Sequence, residues 1–503
     1  LKHYNALERP LSLSQKLYTA DEVRRQEPQA AQQAGLDMYT LMERAGMAVF
    51  RRLQESYPSA RRLLVLVGHG NNGGDGYVVA RLARQQGLDV TLCALGNADK
   101  YSDDTRRASH LWQEIGGVDQ AWPVTLGDFD LIIDGILGTG VKGAVKSPYK
   151  EIIEAVNGSS TEVLSIDIPS GVPADTGFTG GEAIQANHTV TLVAIKPGLV
   201  TGQGKAHCGE LHFNPLGIGD IFDARATHSA LHVGFKQLAP LPARVATAHK
   251  NSCGRLLCIG GNVGMAGAIR LTGEAALRAG SGPVKVLCHR DSVATVSQGR
   301  PELMVSGDAS QLDTLLQWAT TVVLGPGLGT DDWGTSLFLR TMNILSRTPK
   351  SLVLDADGLN LWASHQELSL PESTIITPHP GEAARILDNQ GKDIEQDRFT
   401  AARQLQEVSH TTVILKGAGS LIADDKRTAV CQDGNPGMAT PGMGDVLSGV
   451  LGGLLAQGIP PAEAALLGTC LHSRAADLDA ANQGQRGMIA SDVIHRIREL
   501  VNH

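Results

Sequence analysis

Two spacings of apolar residues alternate along this chain. The first is helical. Over 38–53 the apolar positions Leu41, Ala45, Ala48, Val49 and Leu53 predict an amphipathic helix. An earlier helix is expected from Thr19, because Thr19-Ala-Asp-Glu22 has capping-box spacing. The second spacing is short, continuous and rich in β-branched residues. Segments 63–67, 90–95, 131–133, 163–166 and 189–194 read as strands, with a helix over 77–86. Apolar runs separated by helices imply a mainly parallel sheet covered on both faces.

The pattern lapses over 238–251, where Pro240 and Pro242 interrupt it, and the domain boundary is placed there. A second strand series follows at 256–259, 284–287, 321–324, 352–354, 374–376 and 412–415. Val446, Leu447, Val450, Leu451 and Leu454 then predict a helix, and Pro460 and Pro461 interrupt the apolar stretch beyond it. Segments 62–87 and 255–280 look alike at an offset of 193, yet that offset takes Asp75 to Ala268, Asp134 to Gly327 and Asp167 to Asn360. No acidic position survives, so the halves read as different α/β domains that share turn physics, not as a duplication. The expected fold is α/β, with two doubly wound three-layer domains over 1–235 and 236–503.

Composition sharpens this picture. Of 503 residues, 58 are glycine and 42% are hydrophobic, which excludes disorder and suits the glycine loops of strand–helix junctions. A net charge of −8 with no long basic run argues against nucleic acid as a partner. No apolar stretch reaches membrane-spanning length, and no apolar signal core follows the N-terminal charges. Seven scattered cysteines without a Cys-x-x-Cys pair fit a reducing, cytoplasmic setting better than a disulfide scaffold or zinc site.

Candidate chemistry lies at predicted strand ends, where α/β sheets bind ligands. Gly68-His-Gly-Asn-Asn-Gly-Gly-Asp-Gly76 combines glycines, which admit a ligand to the backbone, with the oxygen donors Asn71, Asn72 and Asp75. Oxygen donors suit a hydroxyl-rich ligand or a hard cation. Asp134-Gly-Ile-Leu-Gly-Thr-Gly140, Asp167-Ile-Pro-Ser-Gly171 and Lys196-Pro-Gly198 follow further strands, so Asp75, Asp134, Asp167 and Lys196 are expected at one sheet edge. For Lys196 a surface charge before a turn is the competing reading.

These segments resemble NAD(P)H-hydrate epimerase over residues 15–225. The resemblance implies that hydrated NADH or NADPH is held by Asn71, Asn72, Gly73, Gly74 and Asp75 together with Gly138, Thr139, Gly140, Val141, Lys142, Gly143 and Ala144. It further implies a potassium ion on Asn72, Asp134 and Ser170, and contact between Asp167 and the substrate. Epimerising a carbon that bears a hydroxyl and a ring nitrogen needs proton transfer, which a carboxylate can supply. Asp167 is the expected catalytic group, with Lys196 as helper.

In the second half, Gly442-Met-Gly-Asp445 opens the apolar helix, leaving backbone N–H groups free for a transferring phosphoryl group. Asp445 stands where it can take a proton from an attacking hydroxyl. Lys416-Gly-Ala-Gly-Ser420 has a nucleotide-loop composition but is not a Walker loop, since the lysine comes first. Segments 325–329, 355–360 and 377–382 also end strands, and His379 lies between two prolines. This half resembles the ribokinase-like superfamily and, more closely, ADP-dependent NAD(P)H-hydrate dehydratase over 235–500. The resemblance implies substrate contacts by Ala268, Gly327, His379 and Asp445, and ADP contacts by Lys416, Gly417, Ala418, Gly419, Ser420 and Gly444, with Mg²⁺ accompanying the ADP. Asn251, where a glycine is expected, and Pro441, where a small residue is usual, depart from the pattern without removing a reacting group.

Together the halves resemble the bifunctional NAD(P)H-hydrate repair family, in which one site interconverts the R and S hydrates and the other dehydrates the S form with ADP, releasing AMP and phosphate. Hydrated NADH or NADPH, ADP and a second copy of the chain are the partners implied. A small-molecule kinase shares the anion hole but has no need of the first half. A binding or scaffolding role for the first half sits poorly with its intact Asn72, Asp134 and Asp167.

Overall fold

The computed structural model describes residues 1–8 and 11–502. The chain forms two compact units, Leu11–Leu231 on one hand, and His232–His503 with Leu1–Pro10 on the other.

The first unit is built on seven parallel strands. Their order is Asp119–Gln120, Asp89–Ala94, Arg62–Val67, Leu131–Gly135, Glu162–Ile166, His188–Leu192 and Glu210–Asn214. The pleat of Arg62–Val67 explains the layers. Leu63, Val65 and Val67 face one core, shared with helices Met38–Ser56 and Asn71–Gln85, while Leu64 and Leu66 face another, shared with helix Tyr149–Asn157. Each such side chain is fully buried, a stabilisation of about 1.5–3 kcal/mol apiece. Helix Ala20–Gln33 starts where the capping spacing placed it, with Thr19 Oγ1 accepting from Glu22 N at 3.3 Å. Asp37 caps Met38–Ser56 in the same way, accepting from Thr40 N at 2.7 Å.

Two strands of this sheet escaped the hydrophobic pattern. Asp119–Gln120 is only two residues long, and Glu210–Asn214 alternates polar and apolar positions at a half-exposed edge. The glycine-rich segment also differs from expectation. The periodicity predicts a helix only from Tyr77, but Asn71–Gly76 already form the first turns of helix Asn71–Gln85. Glycine lowers helix propensity, so packing and not intrinsic preference decides this stretch.

The second unit carries strands in the order Thr428–Cys431, Leu421–Ala423, Thr412–Leu415, Thr374–Ile376, Ser351–Leu354, Thr321–Leu324, Leu256–Ile259, Val284–Leu287 and Met304–Ser306. All neighbours are parallel except Leu421–Ala423, which is antiparallel to both of its partners. The prolines act as expected: Met443–Ala456 and Pro461–Gln483 are separate helices.

Strand order fixes where ligands can enter. In the first sheet the chain reverses direction of growth between Arg62–Val67 and Leu131–Gly135, and in the second between Leu256–Ile259 and Thr321–Leu324. At such switch points the loops leave in opposite directions and open a crevice. Both crevices are floored by a glycine at a strand end. A Cβ on Gly68 would lie 1.9 Å from Ile136 O, and one on Gly260 would lie 2.1 Å from Pro326 O. No larger residue allows the two loops to approach so closely.

Among the described residues no helix is long and apolar enough to cross a membrane.

Candidate active sites

The first crevice opens into a cleft of about 520 Å³. Its floor is a buried oxygen cluster. Asp134, fully buried, accepts from Ser165 Oγ at 2.8 Å, Ser170 N at 2.9 Å and Ser170 Oγ at 2.5 Å. Burial raises the Asp134 carboxyl despite these hydrogen bonds. Ser170 Oγ also accepts from Leu137 N at 2.8 Å, and Asn72 Nδ2 donates to Leu137 O at 2.9 Å. That arrangement leaves Asn72 Oδ1 buried with no hydrogen-bond partner. An orphaned buried acceptor beside a carboxylate and a hydroxyl fits a hard cation.

Above this floor stands Asp167, a non-glycine residue at φ +61°. Val193 adopts φ +64° on the loop beyond the next strand, and a β-branched residue rarely does so. Holding such a residue in this region costs about 1–3 kcal/mol, which the surrounding packing must offset. The two turns bring Lys196 onto Asp167. Lys196 Nζ donates to Asp167 Oδ1, to Thr191 Oγ1 at 3.2 Å and to Leu192 O at 2.9 Å, while Leu192 N donates to Asp167 Oδ1 at 2.9 Å. Lys196 is 1% exposed, which overturns the reading of it as a surface charge. Asp75 completes the group. Burial, then the charges of Asp167 and Glu27, push its carboxyl well above the usual carboxylate range.

Asn71, Asn72, Asp75, Gly138, Thr139, Gly140, Val141 and Asp167 all line this cleft. Gly73, Gly74, Lys142, Gly143 and Ala144 do not. Gly73 packs on Gly68 O and Gly74 on the Met42 thioether, so both serve helix packing. Ala144 lies against Gly181, while Gly143 holds a turn at φ +73°. The sequence reading missed Glu27, which lines the cleft from helix Ala20–Gln33. It carries no motif, and only the fold brings it there.

In the second unit, Lys416 Nζ donates to Asp355 Oδ1 at 2.8 Å, and Ser448 Oγ donates to Asp355 Oδ2 at 2.7 Å. Burial alone would raise the Asp355 carboxyl; Lys416 and the hydroxyls of Ser448 and Thr377 hold it below its ordinary value instead. Ala356, next to it, sits at φ +49° and turns the chain into helix Asp357–Ala363. Gly444 lies over this ion pair, since a Cβ there would be 3.5 Å from Lys416 Nζ and 3.7 Å from Asp355 Oδ2. Asp445 is in the first turn of Met443–Ala456. Burial, then the negative charge of Asp355, raises its carboxyl to about 7. A base poised near neutrality suits proton abstraction.

His379 caps helix Pro380–Ile386. Its Nδ1 accepts from Gly381 N at 3.0 Å, and its own N–H donates to Glu382 Oε2 at 2.8 Å. Burial and the positive charges of Lys416 and Arg385 lower the imidazole. Half of the ring stays exposed, free to meet a ligand. Glu382, not singled out from the sequence, is 5% exposed with Oε2 at 3.7 Å from Lys416 Nζ, and burial raises it to about 7. Gly327 and Ala268 come together across the crevice, a Cβ on the former lying 3.2 Å from the Cβ of the latter. Ser420 Oγ closes the Lys416–Ser420 loop onto Gly417, donating to its O at 3.1 Å. Gly419 sits at φ +63° in the same loop, alongside Ala418.

Comparison with known proteins finds matches to both halves. The family described as YjeF-related protein N-terminus matches residues 38–198, and the family described as NAD(P)H-hydrate dehydratase matches residues 256–499. The bifunctional NAD(P)H-hydrate repair enzyme Nnr of Escherichia coli (strain K12) is 43% identical over 98% of this chain and 95% of its own length. The enzyme of the same name from Vibrio cholerae is 42% identical over 98% and 99%. Among solved structures, an ADP/ATP-dependent NAD(P)H-hydrate dehydratase from Bacillus subtilis, co-crystallised with ATP/Mg²⁺, covers 52% of this chain and 95% of its own, at 26% identity and a TM-score of 0.46.

Proposed function

The chain belongs to the family of bifunctional NAD(P)H-hydrate repair enzymes, and from that premise we propose how its residues divide the work. The first unit, Leu11–Leu231, epimerises the R and S hydrates of NADH and NADPH, and the second dehydrates the S form at the expense of ADP. The observation that carries the proposal is that each half keeps a strained or buried carboxylate, Asp167 or Asp445, with a lysine acting on it: Lys196 donates to Asp167, and the charge of Lys416 bears on Asp445.

At the first site Asp167 moves the proton and Lys196 fixes its carboxylate in place. Asn72 Oδ1, Asp134 and Ser170 Oγ would hold potassium, a fit supported by the orphaned Asn72 acceptor. When bound, that ion supplies positive charge that orders the loop and offsets repulsion between its acids and the substrate pyrophosphate.

At the second site hydroxide is a poor leaving group, so the hydroxyl must first be phosphorylated. Asp445 takes the hydroxyl proton, and the N–H groups of Gly442–Gly444 stabilise the phosphoryl group in transfer. Phosphate then departs with the C–O bond pair as the ring nitrogen lone pair forms a C=N bond, and loss of a proton from the neighbouring ring carbon to water restores the dinucleotide, with AMP and phosphate released. Ala268, Gly327 and His379 bound the substrate side, and Lys416–Ser420 with Gly444 the nucleotide side. Mg²⁺ accompanying the nucleotide would supply positive charge that offsets its phosphates. The scattered cysteines fit a reducing, cytoplasmic setting.

Paired variants test the division. Asp445→Asn is expected to lose ADP-dependent dehydration of the S hydrate by 10²-fold or more while still epimerising, and Asp167→Ala the reverse. Dehydration by Asp445→Asn at the wild-type rate, or unchanged epimerisation by Asp167→Ala, contradicts the assignment.

A further inference from the structure

Where the hydroxyl leaves as water and a water returns from the other side, a proton is given on one face of the ring and taken on the other. One carboxylate cannot stand on both. Asp167 reaches the cleft from the sheet edge, and Asp75 and Asn72 stand on the helix that follows the first strand of the switch point. Glu27 reaches the same cleft from a separate wall, helix Ala20–Gln33.

That helix is held firmly. Ala20 N donates to Asp175 Oδ1 at 2.7 Å, Thr227 N donates to Glu22 Oε1 at 2.9 Å, and Arg225 donates to Gln29 and Gln33. Val23, Ala30 and Ala31 are buried beneath it. Glu27 is different from its neighbours: its carboxylate makes no hydrogen bond and no ion pair among the described residues, although Lys196 and Asp167 both act on it electrostatically. An acid left without a partner on the wall of a cleft, on a rigid support, needs another explanation than stability.

We propose that Glu27 is the second acid–base residue of the epimerase site, acting on the ring face opposite to Asp167. The proposal rests on the epimerase reading of this cleft. Glu27 in its acid form gives its proton to the substrate hydroxyl. The C–O bond breaks with its electron pair on oxygen, and water leaves. The ring nitrogen lone pair forms a C=N bond to the same carbon. A water on the other face adds its oxygen lone pair to that carbon, the C=N electrons return to nitrogen, and the water's proton passes to Asp167. Nothing is oxidised or reduced, and one proton has moved from Glu27 to Asp167. The enzyme left behind is the form that runs the opposite epimer, with the roles exchanged.

The surroundings of Glu27 suit this role. Facing it are Lys196 and Asp167 from the sheet edge and Asp75 from Asn71–Gln85, with Arg24 on its own helix also lining the cleft. Burial is the main influence and raises its carboxyl to about 7, where both protonation states are accessible.

The test uses the full chain without ADP, so that the dehydratase is silent, and follows interconversion of separated R and S hydrated NADH by chromatography. Failure of the wild-type chain to interconvert them refutes the epimerase reading itself. If it does interconvert them, Glu27→Gln is expected to lower kcat by 10²-fold or more with KM changed only a few-fold. In the wild type, kcat/KM in both directions should fall as pH rises through about 7, because Glu27 and Asp167 must share one proton. Glu27→Gln should lack this limb. Thermal unfolding checks that the variant is folded. Should it not fold, Glu27→Asp carries the test: a displaced limb supports the proposal and an unmoved one overturns it. A folded Glu27→Gln with wild-type kcat and the wild-type pH profile also overturns it.

Discussion

Lys196 and Asp167 show how much one pair can carry. Lys196 has three acceptors and almost no exposure, while Asp167 keeps 18% of its side chain accessible. Lys196→Met would leave a half-buried carboxylate without its counter-charge, at a cost of about 3 kcal/mol. Chemical denaturation should show the first unit unfolding at lower urea, with epimerisation lost. Glu382 presents the opposite case. Its carboxyl is raised by burial, so the stability linked to its proton is complete below the ordinary glutamate value and is lost as pH rises through about 7. Glu382→Gln keeps the shape and removes the charge. The ligand-free variant should melt above the wild type at pH 8 and lose that advantage at pH 5.

Elements explain why the sites lie where they do. Gly68 and Gly260 each end the first strand of a switch point, and a Cβ on either would overlap the carbonyl of the neighbouring loop. Gly68→Ala should therefore impair epimerisation while sparing dehydration, and Gly260→Ala the reverse; overpacking of this kind costs about 1–3 kcal/mol. Assays of both activities on each variant check this. The apolar runs made the central strands legible, because strands buried on both faces are continuously hydrophobic. The edge strands Glu210–Asn214 and Met304–Ser306 were not, since half-exposed strands lack that signal. Nor was the helical state of Asn71–Gly76 legible, because tertiary packing there overrides glycine's poor propensity. Asp134 and Lys416 stand out at predicted strand ends, whereas Ser170 is marked only through the family resemblance. Glu27 and Glu382 could not be read there, because their raised carboxyls come from burial beside charges distant in sequence.

At the scale of the whole molecule, the proposed assignment gives one chain two proton-transfer sites with opposite pH limbs. Asp445 must be ionised to take a proton, so kcat/KM for dehydration should rise as pH increases through about 7. The epimerase pair should show the opposite limb. Separate pH profiles of the two reactions on the same preparation would display the crossing, and parallel profiles would contradict it. On that assignment both reactions should proceed near neutrality, where the two limbs cross. The most direct measurement is recovery. A mixture of R and S hydrated NADH is incubated with the protein, ADP, Mg²⁺ and K⁺, and the absorbance of reduced nicotinamide is followed. Full recovery from both epimers is the predicted result. Recovery that stops at the S fraction, or none with ADP untouched, would contradict the account.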